Sequence, residues 1–182
     1  FLDHNIGQII QRLNETGLTD NTRIIYSSDH GDCLGSRGLW AKSVMYEESV
    51  AVPLIMAGPD VAENRTVTTP VSHVDFYPTI VESAGRQLTP AEEDLPGRSL
   101  FDIADGAIPD RAVFSEYHDG GSITGSYMIR LEQWKYIYHA GYAPQLFDLK
   151  NDPMETCDLA HDPRYTAAAE KCRQRLLEIC DP

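Results

Sequence analysis

At 182 residues with a formal net charge of −13, the chain repels nucleic acid at long range, and only local cations can hold an anionic ligand on it. Its 42% hydrophobic and 24% charged residues are ordinary for a globular domain and enough for a sizeable core. No apolar run approaches the roughly 18 residues of a membrane span, and no basic stretch leads into an apolar core at the start.

The chain begins at Phe1 without a methionine, so a segment upstream of it is expected. Residues from about 3 to 16 read as a helix, because Ile6, Ile9, Ile10 and Leu13 recur at i, i+3, i+4 and i+7. Gly17 is placed to end it. Thr22 to Ser27 reads as a strand through Arg23-Ile24-Ile25-Tyr26. Val50 to Ala57 reads as a second strand, closed by Gly58-Pro59. Its near-continuous apolarity predicts a strand covered on both faces, as in a parallel sheet. Pro53 removes one ladder donor, so the run starts loosely or lies near an edge.

A second helix is expected from about 73 to 84. Ser72 is its N-cap with Asp75 three residues on, a variant of the capping box. Val74, Tyr77, Ile80, Val81 and Ala84 form its apolar face, and Gly85 stops it. Arg86 to Gly106 reads as a connector rich in proline, glycine and acid. Strands at 112–117, 126–130 and 135–139 then form an antiparallel meander, and 145–149 adds a short edge. A closing helix runs from about 163 to 180 with Ala167, Leu176, Leu177 and Ile179 apolar. The fold class is α/β, a sheet sandwiched by helices followed by a small antiparallel sheet with a C-terminal helix. The expected division is 1–105 and 106–182. Cys33, Cys157, Cys172 and Cys180 show no C-x-x-C spacing, and Cys172 and Cys180 are too far apart on one helix to bridge. Four reduced thiols in a cytosolic protein is the plain reading.

The chemistry concentrates between Ser27 and Lys42. Asp29 and His30 follow the first strand directly, where open α/β sheets hold ligands. A carboxylate and an imidazole can share one metal; a turn cap by Asp29 and a solvated His30 is the alternative. Gly31, Gly35 and Gly38 argue a loop built around a ligand. Lys42 ends that loop, a compact cation with three donors for sulfate or phosphate oxygens, or else a surface lysine.

The stretch Ser27-Ser28-Asp29-His30-Gly31-Asp32-x-Leu34-Gly35-x-x-Gly38-Leu39-Trp40-x-Lys42 resembles the metal-and-lysine motif of the sulfatase family, within the alkaline phosphatase superfamily. Other segments resemble it in family order. Asn21-Thr22-Arg23-Ile24-Ile25 and Val52-Pro53-Leu54-Ile55 are similar to its strands. His73 to Ile80 resembles its "hxDhhPTh" helix, and Gly97-Arg98-Ser99-Leu100 its "GxSL" connector. Leu146-Phe147-Asp148-Leu149-x-x-Asp152-Pro153-x-Glu155 resembles its "LYDLxxDPxE" turn. Ser115-Glu116-Tyr117-His118 and Trp134-Lys135-Tyr136-Ile137 are most similar to choline-sulfatase-like and phosphonate-monoester-hydrolase-like members.

The resemblance implies the C-terminal part of an alkaline-phosphatase-like catalytic core plus a small subdomain. It implies hydrolysis of a small-molecule sulfate ester by a formylglycine, with a calcium ion neutralising the sulfate oxygens. Asp29 and His30 become metal ligands, and Lys42 becomes a catalytic contact to a sulfate or leaving-group oxygen. A quaternary ammonium substrate wants an acid and aromatics close by, which Glu116 and Tyr117 offer, and His118 reaches the rim of the site, so Glu116 and His118 become substrate contacts; the alternative is that the strand alternates between solvent and core and ends with His118 in solvent. His73 and Asp75 are explained better by capping, and Tyr136 and Tyr138 by sheet packing. No C/S-x-P/A-x-R motif occurs in the chain, so the formylglycine and the remaining carboxylate ligands are expected upstream, and the isolated chain is expected to be inactive. A phosphodiesterase or phosphonate monoester hydrolase with manganese or zinc is the alternative within the superfamily. A non-catalytic pseudo-enzyme or interaction domain is the alternative of another class. No nucleic-acid partner and no membrane span are expected. Oligomeric state and compartment, cytoplasmic or periplasmic, are left open.

Overall fold

The computed structural model describes residues Phe1–Pro182. They divide into two units, Phe1–Asp29 with Val52–Thr66, and His30–Ala51 with Val67–Pro182. No helix is long and apolar enough to cross a membrane.

In the first unit, α1 spans Leu2–Glu15. Gly17 follows at φ +69, with Gly17 N–H bonded to the Asn14 carbonyl and Leu18 N–H to the Leu13 carbonyl. That pair of bonds is a Schellman stop, which needs a left-handed residue and so favours glycine. The predicted apolar stripe of α1 is present, yet no residue of the helix is buried. Periodicity reports a face; it does not supply the partner that covers it. β1 (Ile24–Ser27) and β2 (Leu54–Ala57) pair antiparallel, with Ile24 opposite Ala57. The parallel expectation is therefore corrected. β2 begins only after Pro53, and its side chains alternate half-buried and exposed. Its unbroken apolarity gives two apolar faces, one of which is open. A Cβ on Gly58 would lie 2.5 Å from the Thr22 carbonyl oxygen, so only glycine lets the strand ends close up.

In the second unit, α2 is a single turn, Glu47–Val50. A 3₁₀ turn at His73–Asp75 leads into α3 (Phe76–Ser83). Ser72 and Asp75 close a reciprocal capping box, with Ser72 N–H 2.7 Å from the Asp75 carboxylate. The buried face of α3 is Asp75, Pro78 and Thr79, whereas Val74, Tyr77 and Ile80 are exposed. The predicted apolar face is thus corrected, because polar anchoring orients this helix. Fully buried Asp75 accepts the Arg98 amide at 2.9 Å and the Arg111 guanidinium. Thr79 Oγ1 accepts the Leu100 amide at 2.8 Å. A Cβ on Gly97 would collide with the Val74 carbonyl. The connector is therefore laced to α3 and carries two short helices, α4 (Pro90–Glu93) and α5 (Leu100–Ala104).

β3 (Ala112–Tyr117), β4 (Ser126–Leu131), β5 (Trp134–His139) and β6 (Gln145–Asp148) form the predicted antiparallel meander in that order, with β6 at one edge. α6 (Thr166–Leu177) covers one face. Cys172 and Leu176 bury there against Ile129, Leu131, Tyr136 and Leu146. Of the apolar residues noted for this helix, Leu176 is buried while Leu177 and Ile179 are exposed, since the helix turns its Ala168, Ala169 and Cys172 side inward. Met45 packs on the opposite face with Met128, Ile137 and Phe147.

That second face also holds charge. Lys135 on β5 is fully buried, 2.7 Å from both Glu47 and Glu155. Glu155 is itself buried and accepts the Glu47 amide at 2.8 Å. Arg37 lies 3.3 Å from Glu48 and 3.6 Å from Glu155, donates to the Met154 and Glu155 carbonyls, and stacks 4.2 Å over the Tyr46 ring. One buried ammonium thus ties α2, the sheet and the turn at 152–155 together.

Two outcomes follow from this packing. Lys135→Met strands buried carboxylates, and the expected loss is about 3–5 kcal/mol in urea unfolding, partly restored by adding Glu155→Gln. A loss under about 1 kcal/mol counts against the network. The four cysteines are unpaired; burial pushes the Cys172 thiol up to about 11, with Lys171 working the other way. Iodoacetamide at pH 8 should label Cys157 first and Cys172 only on unfolding, read by mass spectrometry.

Candidate functional site

Asp29 ends the first unit directly after β1, and His30 opens the second. The loop from Gly31 to Lys42 is held by its own backbone: the Cys33 amide bonds the Ala41 carbonyl at 2.9 Å and the Gly35 amide the Leu39 carbonyl at 2.8 Å. Leu34, Arg37 and Ala41 adopt positive φ without being glycine, a cost of about 1–3 kcal/mol each that the surroundings must offset. Glu48 does part of this. It accepts Ser36 Oγ at 2.6 Å and pairs with Arg37. Burial opposes its ionisation, yet the Ser36 hydrogen bond and the Arg37 guanidinium hold its carboxyl below the usual range.

Gly31 is the anchor. Its amide bonds the Ser49 carbonyl at 2.8 Å, and a Cβ there would collide with the Glu48 carbonyl. His30 Nδ1 lies 2.7 Å from the Gly31 carbonyl oxygen. A carbonyl only accepts, so Nδ1 carries the proton and Nε2 presents its lone pair. That nitrogen faces Lys42 Nζ at 2.5 Å. The Lys42 carbonyl accepts from the Val44 amide and from Ser49 Oγ, so the backbone beneath the ammonium is pinned to α2.

The residues after Lys42 run over the sheet face that carries Met128 and Phe147. Ser43 Oγ donates to Tyr117 Oη at 3.0 Å. Tyr117 therefore lies on the face of the Lys42 segment. Glu116 and His118 flank it in sequence and, by strand alternation, point to the other face. Glu116 sits opposite Tyr127, and His118 lies 3.2 Å from Glu116 and edge-on to the Tyr127 ring. The structure thus brings His30 and Lys42 together, and it pairs Glu116 with His118 elsewhere on the sheet. Sequence reading named Tyr117 beside Glu116 and missed Arg37, Glu47, Lys135 and Glu155 as groups that shape this region. Glu155 had a signal, the acid closing the Asp152-Pro153-x-Glu155 turn; a buried lysine in an apolar strand had none.

The sulfatase family profile matches residues 1–86. Over 164 residues the chain is 40% identical to the choline-sulfatase of Rhizobium meliloti, covering 90% of this chain and 32% of that one. It is 39% identical to mouse (Mus musculus) arylsulfatase K over 182 residues, covering 93% and 32%. The phosphonate monoester hydrolase of Agrobacterium radiobacter superposes with a TM-score of 0.81 at 31% identity, covering 97% of this chain and 38% of that one. The chain belongs to the sulfatase family. It spans about a third of the length of these curated relatives.

Sulfatases generally pair a formylglycine with a divalent metal, and the donors present fit part of a metal's ligand set. His30 donates its Nδ1–H to a backbone carbonyl, the arrangement that orients metal-binding imidazoles, and its Nε2 meets Lys42 Nζ. No group of three or more His, Cys, Asp or Glu is assembled here for a metal. In this sulfatase chain Gly31→Ala should speed amide exchange across 31–49 while β4 stays protected. Gly38→Ala, with no neighbour to strike, should cost only about 1 kcal/mol from its positive φ. Unaltered exchange in Gly31→Ala would sink the anchoring role.

Proposed function

We propose that residues 1–182 are part of a sulfuric ester hydrolase and supply its fixed cation and two of its metal ligands, with a formylglycine nucleophile carried outside them. In this reading 1–105 belong to the catalytic core and 106–182 form a C-terminal subdomain. The carrying observation is that His30 and Lys42 meet, Nε2 and Nζ 2.5 Å apart, on a loop whose backbone is locked at Gly31 and Ser49; a metal on His30 would take the place of Lys42 at Nε2 and leave the ammonium to the anion.

Asp29 and His30 would hold the metal, which supplies a Lewis acid for the oxygens of the transferring group. Calcium is the first assignment, and manganese or zinc the alternative, since imidazole is the less usual partner of calcium. Lys42 brings three donors and a full positive charge to a sulfate or leaving-group oxygen, where charge develops as the ester bond breaks. An overall charge of −13 makes this local cation necessary, because the rest of the surface repels the anion. Glu116 and His118 stay proposed substrate contacts through their place at the end of β3; Ser43 and Tyr117 are the groups hydrogen-bonded beside Lys42.

A phosphonate or phosphate ester is the second reading, favoured by the likeness to the Agrobacterium radiobacter hydrolase. Comparing kcat/KM for phenyl sulfate and phenyl phenylphosphonate separates the two. In the intact enzyme, Lys42→Ala should lower kcat on phenyl sulfate by about 100- to 1,000-fold, with Lys42→Arg recovering part of it. Near-normal turnover in Lys42→Ala would reject the role given to Lys42.

A further inference from the structure

A hollow of about 580 Å³ opens beside Ser43, the residue after Lys42, within the range of small-molecule sites, about 300–1,000 Å³. It lies wholly in the second unit, over the β4–β5 face and the loop at 121–124. Its walls carry neither lysine nor arginine, and Asp158 is the one carboxylate among them. A second anionic group on a ligand is disfavoured there.

The hydroxyls on the wall are directed. Ser122 Oγ donates to the Thr124 carbonyl and Thr124 Oγ1 to the Ala140 carbonyl, so each of these wall hydroxyls is left as an acceptor. His139 links Ser126 Oγ at 2.9 Å to Gln145 Oε1 at 3.3 Å, and Gln145 Nε2 donates to Tyr46 Oη at 3.1 Å. Because Gln145 Oε1 only accepts, His139 Nε2 carries a proton whichever charge the ring bears. The chain of bonds then runs toward Tyr46, whose oxygen accepts and whose O–H is left to donate. Asp158 spends Oδ1 on the Leu146 and Ala160 amides at 3.0 and 2.9 Å and offers its other oxygen.

The wall therefore asks for a ligand with several O–H donors and at least one acceptor. A trimethylammonium has neither and makes no hydrogen bond to the Tyr46 O–H or to the remaining lone pairs of these groups. We propose that this hollow is the subsite for the alcohol portion of the ester and that it takes an uncharged polyhydroxy group of sugar type, with Tyr46 as the donor set in place by His139 and Gln145. The assignment rests on the sulfatase reading, with Lys42 as the neighbouring anion site.

The test uses the intact enzyme with glucose 6-sulfate, choline sulfate and 4-nitrophenyl sulfate. Glucose 6-sulfate should be preferred to choline sulfate in kcat/KM, and Tyr46→Phe should lower that preference about tenfold through KM, the loss of about one hydrogen bond. Phenylalanine keeps the ring under Arg37 and against Phe147. Ser126→Ala, which breaks the same chain at its far end, should shift the preference in the same direction if Tyr46→Phe fails to fold. Preference for choline sulfate, or equal KM changes for both esters, overturns the subsite. Should no sulfate ester be turned over, the sulfatase reading fails separately. Saturation-transfer NMR with methyl β-glucoside then decides the hollow alone, with loss of signal in Tyr46→Phe expected and no signal in the parent chain overturning it.

Discussion

The buried ammonium of Lys135 organises the second unit. An isolated charge in that position would be strongly unfavourable, so its two carboxylates must arrive together and at hydrogen-bond distance. Glu155 brings the turn after β6, Glu47 brings the first turn of α2, and the Glu155 carboxylate also caps Glu47's amide. Because α2 is one turn long, it could not persist without such a partner. The loop from Gly31 to Lys42 hangs from it: Ser49 bonds the Gly31 amide through its carbonyl and the Lys42 carbonyl through its hydroxyl. The position of a surface cation is thus set by an interaction in the core.

Asp75 plays the matching part for the connector. It is fully buried and shared by three donors, the amides of Ser72 and Arg98 and the Arg111 guanidinium. Three short motifs that look unrelated in sequence therefore converge on one carboxylate. Charge-assisted hydrogen bonds of this kind carry direction as well as energy, which explains why α3 buries Asp75 and Thr79 while Ile80 is left outside.

Much of the architecture was readable from residue patterns. The stop of α1 at Gly17, the box of Ser72 and Asp75 and the four strands of the meander each rest on interactions local in sequence, a turn apart or alternating along a strand. The antiparallel pairing of β1 with β2 was not readable, because direction is decided by which distant segment pairs, and an apolar run does not encode it. α2 escaped for the same reason, being held by contacts from far along the chain; α4 and α5 did carry local signals, the Thr89 and Glu92 capping box and the Ser99 N-cap. At the site, His30 and Lys42 were legible from spacing and family resemblance. That Tyr117 and not Glu116 faces the Lys42 segment followed only from the sheet's faces, since alternation says that neighbours diverge without saying which way.

Arg37 grips the turn at 154–155 largely through main-chain oxygens. Recognition of a carbonyl is blind to the side chain it belongs to. Met154, which is 62% exposed, is thus an open position in an otherwise fixed clamp, where substitutions can accumulate without loosening the loop below Lys42. Glu155, one residue on, has no such freedom. Across descendants of this chain, the two neighbours should drift at opposite rates, one a record of surface history and the other of the buried charge it answers.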